Sequence, residues 1–232
     1  MKQKIVVFTG AGVSAESGIQ TFRDGDGLWE NHDIQQVATP EAWNKNPRLV
    51  LDFYNERRKQ VLKAQPNEAH QSLVLLEQNF DVQIVTQNID DLHERAGSKK
   101  VLHLHGEILK ARSTFDDELY DWKKPTLKLG DKCPKGYQLR PHVVWFGEPV
   151  PNMFEAAKVC EKATILIVIG TSLNVYPAAN IVNFVSANCS KYLVDPKKPS
   201  SFLENNTKFI QKKAGEGVAE LVGQLLSLKE QV

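Results

Sequence analysis

The segment TGAGVSAESGIQTFRDGDGLW, residues 9–29, follows the apolar run KIVVF at residues 4–8 and decides the fold class. A buried strand that runs into Gly10-Ala11-Gly12 is typical of α/β sheets, where glycine lets backbone N–H groups and a helix N-terminus approach a phosphate. Ala15 supplies the small residue that a dinucleotide fingerprint requires next, but no acidic residue ends a second strand roughly 20 positions later. The loop therefore predicts a nucleotide site and disfavours a dehydrogenase; a tight turn without a ligand is the alternative.

Short β-branched runs recur along the chain between stretches of helical spacing. The strand-like runs lie at residues 5–8, 82–86, 165–170, 192–195 and 208–212, and the helical stretches at 68–79, 153–163, 177–188 and 217–231. Buried strands of this length alternating with helices predict an α/β fold, a Rossmann-like parallel sheet with helices on both faces.

Two insertions interrupt this alternation, at about residues 30–66 and 109–142. We expect them to form a smaller lobe over a core made of about residues 1–29, 67–108 and 143–232, within a single domain spanning 1–232. A cleft between lobe and sheet follows from this arrangement. The apolar residues expected to hold the lobe together are Phe115, Leu119, Tyr120, Trp122, Leu127, Leu129 and Tyr137.

Composition narrows the class of protein. The 232 residues are 41% hydrophobic, and 29 Lys and Arg nearly balance 28 Asp and Glu, so no overall field draws the chain to nucleic acid or to a membrane. The first apolar run is too short for a signal peptide or a membrane span. Three scattered cysteines without a C-x-x-C pair fit a reducing compartment, so we expect a cytoplasmic protein.

Small polar residues follow two further strands. TQNIDDLHERAG, residues 86–97, places Gln87, Asn88 and Asp90 after the second strand, and GTSLNVYPAAN, residues 170–180, begins with Gly170-Thr171-Ser172 after the third. Each group taken alone is also explained as a helix cap. Because the carboxyl ends of parallel strands share one edge of the sheet, three such ends favour a common nucleotide site.

The stretch VLHLHGEILK, residues 101–110, puts His103 and His105 on one face if it is extended. A metal pair is a minor option, because no third ligand of recognisable spacing is present. Strand histidines bonded to the backbone are the other interpretation, especially for His103. His105, which precedes Gly106 at a strand end, is the candidate general base, since imidazole titrates near neutral pH.

In this order, the motifs GAGVSAESGIQTFR, TQNIDDLHERAG, HLHGE, RPHVVWFGE and GTSLNVYPAA resemble those of the sirtuins, the NAD-dependent protein deacylases of the Sir2 family, from Thr9 to about Gly217. The resemblance implies that an acyl-lysine carbonyl oxygen attacks the nicotinamide ribose of NAD and expels nicotinamide, after which the acyl group passes to the ribose. It implies acyl-lysine proteins or peptides as partners.

By the same resemblance, His105 is the catalytic general base and Asn88 positions the ribose and a water. Asp90 and Ile89 hold the nicotinamide carboxamide, and Gln87 contacts the adjoining ribose. The full set that we assign to the cofactor site is Gly10, Ala11, Gly12, Ser14, Ala15, Phe22, Arg23, Gln87, Asn88, Ile89, Asp90, His105, Gly170, Thr171, Ser172, Asp195 and Gly215.

The segment His142–Glu148 and the loop after Ser172 resemble the two edges between which sirtuins hold an extended peptide. An ordinary strand with Val144 and Phe146 on its core side is the alternative, and Val144 could then also line a lysine tunnel. The residues assigned to peptide binding are Val143, Val144, Phe146, Gly147, Glu148 and Val175.

In DFYNERRKQ, residues 52–60, Tyr54 and Arg57 are spaced to share one helix face. In the desuccinylase-type branch of the family, a Tyr-x-x-Arg pair at this place binds the carboxylate of succinyl, malonyl or glutaryl groups. Arginine forks onto carboxylates, which supports an acyl pocket here. A solvated, charged helix face is the alternative.

One departure from the family concerns zinc. Sirtuins commonly hold the small lobe with two cysteine pairs, but residues 107–142 contain Cys133 alone. We therefore expect no structural zinc and no metal in the site. Separately, we expect a monomer. Rival functions stay open: a hydride-transferring oxidoreductase, a non-catalytic NAD or ADP-ribose binding module, and a mono-ADP-ribosyltransferase.

Overall fold

The computed structural model describes residues 2–20, 28–29, 32–198 and 207–230. The strands are β1 (Lys4–Thr9), β2 (Leu28–Trp29), β3 (His32–Asp33), β4 (Asp81–Thr86), β5 (Val101–His103), β6 (Gly106–Ser113), β7 (Leu119–Asp121), β8 (Leu139–Val143), β9 (Ile165–Ile169), β10 (Ser190–Val194) and β11 (Thr207–Ile210). The α-helices are α1 (Ile34–Val37), α2 (Pro40–Lys45), α3 (Pro47–Lys63), α4 (Glu68–Leu76), α5 (Leu92–Ala96), α6 (Met153–Glu161) and α7 (Ala214–Glu230).

The main sheet is six-stranded, in the order β11-β10-β9-β1-β4-β5, and its neighbours pair in parallel. This confirms the predicted Rossmann-like sheet. The sixth strand, β5, was not predicted, because three residues are too few to show a pattern. The helix predicted at 177–188 is wrong: the chain forms only a 3₁₀ turn at Ala178–Asn183.

Successive side chains of β1 point alternately into two apolar layers, because side chains of a strand alternate between its two faces. Ile5 and Val7 pack on one face with residues of α4 and α7, whereas Val6 and Phe8 pack on the other with residues of α6. All four are fully buried. The sheet is therefore covered on both faces, and its strand ends are the accessible edge.

The smaller lobe combines α1 to α3 with an antiparallel sheet in the order β7-β6-β8. The predicted lobe core is partly wrong. Leu127 is buried and Tyr120 and Trp122 pack beside it, but Phe115 is 63% exposed and Leu119, Leu129 and Tyr137 are also exposed. One face of this sheet packs on α3, so the core is completed by residues that the aromatic pattern did not reveal: Leu51, Ala111, Cys133 and Leu139.

We predict that this lobe is stable without zinc. Within the described residues, no group of three or more His, Cys, Asp or Glu could hold a metal ion. The Cys133 thiol is buried and lies 3.7 Å from Ser113 Oγ. Elemental analysis of untagged protein should find far less than one zinc per chain, and a chelator should leave the melting temperature unchanged. Stoichiometric zinc, or a lower melting temperature after chelation, would contradict the prediction.

The described helices include none that is both long enough and apolar enough to cross a bilayer.

Candidate active site

A cavity of about 240 Å³ lies at the carboxyl ends of β1, β4 and β9, between the main sheet and the smaller lobe. It brings together most of the predicted site residues: Gly10, Ala11, Gly12, Ser14, Tyr54, Arg57, Gln87, Asn88, Ile89, Asp90, His105, Val143, Val144, Phe146, Gly147, Glu148, Gly170, Thr171, Ser172 and Val175. The strand-end reasoning thus identified a real concave site.

Three predicted cofactor residues lie outside the lining of this cavity. The Gly215 N–H, at the start of α7, donates to Glu16 Oε2 at 2.7 Å. Asp195 is buried after β10 and accepts from the Lys197 N–H at 2.9 Å. Ala15 lies in a short 3₁₀ turn. Phe22 and Arg23 fall outside the described residues.

The glycines of the loop after β1 have a packing role in addition to the predicted approach to a phosphate. A Cβ on Gly12 would lie 2.6 Å from Gly170 Cα, and one on Gly10 would lie 2.7 Å from Thr171 Cβ. The N–H groups of Gly10 and Gly12 donate to the carbonyls of Ile169 and Gly170. These glycines therefore let the loops after β1 and β9 pack backbone to backbone. A pair of 3₁₀ turns, not an α-helix, follows.

Amide, hydroxyl and carboxyl groups form a connected cluster at the end of β4. Asn88 Nδ2 donates to Ser14 Oγ at 3.1 Å, and Ser14 Oγ donates to Asp90 Oδ2 at 3.0 Å. Burial raises the pKa of Asp90, although hydrogen bonds from the Leu92 N–H and Ser14 oppose that rise. Beside them, Gln87 Nε2 donates to Thr171 Oγ1 at 3.0 Å. The cluster links all three strand ends.

His105, the predicted general base, lines the cavity and has a defined tautomer. Its Nδ1 lies 3.0 Å from the Gln87 carbonyl oxygen, which can only accept, so Nδ1 carries the hydrogen. Burial lowers the pKa of His105, whereas the Gln87 hydrogen bond raises it; the net shift is downward. The ring is therefore neutral near pH 7 and keeps a lone pair on Nε2, which is the form that a general base requires.

The smaller lobe contributes Tyr54 and Arg57 from one face of α3, as the spacing predicts. Both are almost fully buried, at 0% and 4% exposure. Arg57 Nη2 donates to the Gln20 carbonyl at 3.4 Å, and its guanidinium lies 5.6 Å from the centre of the Phe53 ring. Burial raises the pKa of Tyr54. A charged, solvated face is thus excluded for this part of the helix.

The segment after β8 does not place Val144 and Phe146 on the core side, as the ordinary-strand alternative would require. Val143 and Trp145 are buried, whereas Phe146 is 42% exposed and Val144 is half-buried. The chain is held by backbone bonds from the Val144 N–H to His105 and from the Phe146 N–H to Ala38. Val144 and Phe146 are therefore the side chains that one face of the segment offers to a ligand.

Glu148 lines the cavity, but its carboxylate is already engaged. It accepts from Arg112 Nη2 at 2.9 Å, from Arg140 Nη1 at 2.7 Å and from the Trp145 N–H at 2.8 Å. Burial raises the pKa of Glu148, but the hydrogen bonds from Arg140 and the Trp145 N–H outweigh burial, so this pKa lies below its usual value. Its contacts hold the turn after β8 in shape.

Several lining residues were not predicted: Ile19, Gln20, Ala38, Gln60, Val61, Trp145, Val150, Tyr176 and Pro177. Gln60 and Val61 follow Arg57 at helical spacing, so the face that Tyr54 and Arg57 define could have revealed them. Ala38 lies at the end of α1 and reaches the cavity only through tertiary packing.

Comparison with known proteins places the chain in a family. The Sir2 family matches residues 10–177. The chain belongs to the Sir2 family. Two similar proteins are named NAD-dependent protein deacylase: one from Helicobacter pylori, 50% identical over 97% of this chain and 99% of that protein, and one from Bacteroides thetaiotaomicron, 49% identical over 94% of this chain and 96% of that protein.

Solved structures of Sir2 homologues share the fold. A mutant homologue in complex with ADP-ribose has a TM-score of 0.88 and 40% identity, covering 98% of this chain and 94% of its own. A Sir2 homologue in complex with NAD has a TM-score of 0.87 and 39% identity, covering 98% of this chain and 91% of its own. The fold of this Sir2-family chain is thus established by structure as well as by sequence.

Proposed function

We propose that this chain is an NAD-dependent protein-lysine deacylase. The observation that carries the proposal is the arrangement of His105 and Asn88 beside one cavity, with His105 in the tautomer that leaves Nε2 free to accept a proton. The names of the similar proteins and the NAD and ADP-ribose complexes of the structural relatives support it.

The polar groups around the cavity suit NAD. The buried Asp90 carboxylate has acceptor capacity beyond its bonds to Ser14 and Leu92, and it can bind the N–H groups of a carboxamide. The amides of Gln87 and Asn88 can bind ribose hydroxyls. When bound, NAD supplies an electrophilic ribose carbon with nicotinamide as its leaving group.

The side chains of this protein then have separate tasks. His105 Nε2 takes the proton of a ribose hydroxyl, and Asn88 orients that ribose. Val144 and Phe146 flank the entering acyl-lysine. Asn88 and Asp90 are nearly buried, so these residues orient the reactants and exclude water more than they supply acid or base strength.

We further infer that acidic acyl groups are preferred over acetyl. Arg57 presents a guanidinium to the cavity, with the Tyr54 hydroxyl on the same face of α3. A planar guanidinium binds a carboxylate in two parallel hydrogen bonds, and such bonds are stronger in a buried site than in water. The carboxylate of a succinyl, malonyl or glutaryl group would occupy this position.

Mass spectrometry of acetyl-, succinyl- and glutaryl-lysine peptides, incubated with and without NAD, tests the proposal. We expect free lysine, nicotinamide and O-acyl-ADP-ribose in equal amounts, only with NAD. NADH without nicotinamide would indicate an oxidoreductase, and ADP-ribose attached to the peptide would indicate a transferase. Binding of NAD without products would indicate a binding module. We also propose that the protein acts as a cytoplasmic monomer. The three free cysteines support the location, and a site lined by residues of one chain supports the monomer.

A further inference from the structure

His103, two residues before the general base, has an unusual pair of partners. It ends β5, and its side chain is 8% exposed. Its Nδ1 lies 2.9 Å from the Asn88 carbonyl oxygen, and its Nε2 lies 2.8 Å from Glu94 Oε1. A carbonyl oxygen and an ionised carboxylate both only accept hydrogen bonds. Both ring nitrogens therefore carry hydrogen, and the ring is an imidazolium.

The two neighbouring histidines thus differ in charge. Among the described residues, the hydrogen-bond partner of the His105 ring is the Gln87 carbonyl, and His105 remains neutral. For His103, burial opposes the charge, but the hydrogen bond and charge of Glu94 outweigh it and raise the pKa of His103 above its usual value. One histidine can act as a base, whereas the other is occupied at both nitrogens.

The main chain of Asn88 is held on both sides. Its N–H donates to Thr86 Oγ1 at 3.0 Å, and its carbonyl accepts from His103. His103 is itself fixed, because Asn152 Nδ2 donates to the His103 carbonyl at 2.8 Å. Together with the bond from Asn88 Nδ2 to Ser14 Oγ, these two main-chain bonds limit the directions in which the Asn88 side chain can point.

We propose that His103 is a positioning residue: as an imidazolium paired with Glu94, it fixes the Asn88 main chain so that the Asn88 side chain is presented to the bound ribose. This goes beyond the proposed function, in which His103 has no role.

Charged and titratable groups face His103 from several elements. Glu94 on α5 and Glu107 on β6 both favour its charge. Asp90 lies close enough for the His103 charge to lower its pKa, against the burial that raises it. His93 is kept neutral by burial, which lowers its pKa. Loss of one His103 proton leaves a single ring hydrogen for two acceptors, the Asn88 carbonyl and Glu94, so it weakens the hold on Asn88. It also favours a protonated Asp90.

The hold of His103 on Asn88 depends on pH. The positioning is complete below the pKa of His103 and is weakened as the pH rises through it, which happens above pH 6.5 because that pKa is raised. We therefore expect an alkaline decline of activity that follows His103.

Nitrogen NMR of the histidine rings tests the protonation state in the unmodified protein. His103 should show two protonated ring nitrogens at pH 7 and titrate above pH 6.5, whereas His105 should titrate below it; His103→Gln and His105→Gln assign the signals. A neutral His103 at pH 7 would overturn the proposal. This measurement does not depend on deacylase activity, so its failure is distinct from failure of the proposed function.

Glu94→Gln tests the positioning role. The amide oxygen can accept the same hydrogen bond without a charge, so the His103 midpoint should fall by about 1–3 units. The alkaline limb of kcat/KM should move with it, and the acid limb should not. In His103→Gln, the side-chain amide still donates to Asn88 without titrating, so the alkaline limb should disappear. Glu155→Gln, an exposed carboxylate on α6, is the matched control. A limb unmoved in both variants would refute the role of His103.

Discussion

Replacing His105 with alanine should lower kcat/KM for acyl-lysine peptides by about 10²–10⁴-fold, the usual contribution of a positioned general base. The variant should still bind NAD, because the Ser14, Asn88 and Asp90 cluster does not depend on the imidazole. Titration calorimetry with NAD and steady-state kinetics on the same preparation separate the two effects. The loss should fall on kcat, since proton transfer belongs to the chemical step.

His32→Ala is the matched control for this substitution. His32 packs edge-on against Phe53, with ring centroids 5.5 Å apart, and lies outside the cavity lining. In the unmodified protein, activity should fall as the pH drops through the lowered pKa of His105, below 6.5, because only the neutral ring is a base. Retention of full activity by His105→Ala would remove the general base from the proposed mechanism.

The sheet was predictable because five of its six strands contain short apolar runs, three of them buried and rich in β-branched residues: β1, β4 and β9. The strand ends then predicted where the site lies, because parallel strands bring Gly10, Gln87 and Gly170 to the same edge of the sheet. The helix predicted at 177–188 was wrong for a local reason. Pro177 and the asparagines Asn180, Asn183 and Asn188 favour turns, so the chain forms a single 3₁₀ stretch there.

The parts that sequence reasoning missed depend on tertiary packing. Gly10 and Gly12 are required by the close approach of the loop at Gly170, a contact between segments far apart in the chain. The exposed Phe115 and Tyr137 stack on each other at 4.2 Å between ring centroids, so their aromatic character did not mark a core. Glu148 was assigned to substrate, but its position between Arg112 and Arg140 is visible only in the folded chain.

Replacing Arg57 with methionine should lower kcat/KM for succinyl-lysine by about tenfold or more and leave acetyl-lysine nearly unchanged. A hydrogen bond to a charged group contributes about 1.5–3 kcal/mol, and each 1.36 kcal/mol is a factor of ten in rate. Methionine keeps much of the length and apolar contact of the arginine stem over Phe53, so the helix face should stay packed. Arg48→Met, an exposed arginine on the same helix, is the matched control.

A substrate pair sharpens this test. Succinyl-lysine and its neutral amide analogue have nearly the same shape, so the difference between them in the unmodified protein and in Arg57→Met isolates the contribution of the carboxylate. If Arg57 binds that carboxylate, the unmodified protein should prefer the acid and the variant should lose the preference. Because Arg57 also donates to the Gln20 carbonyl, a purely structural role would instead weaken all acyl substrates alike. Equal losses on succinyl, its amide and acetyl would therefore show that Arg57 supports the cavity without reading the acyl group.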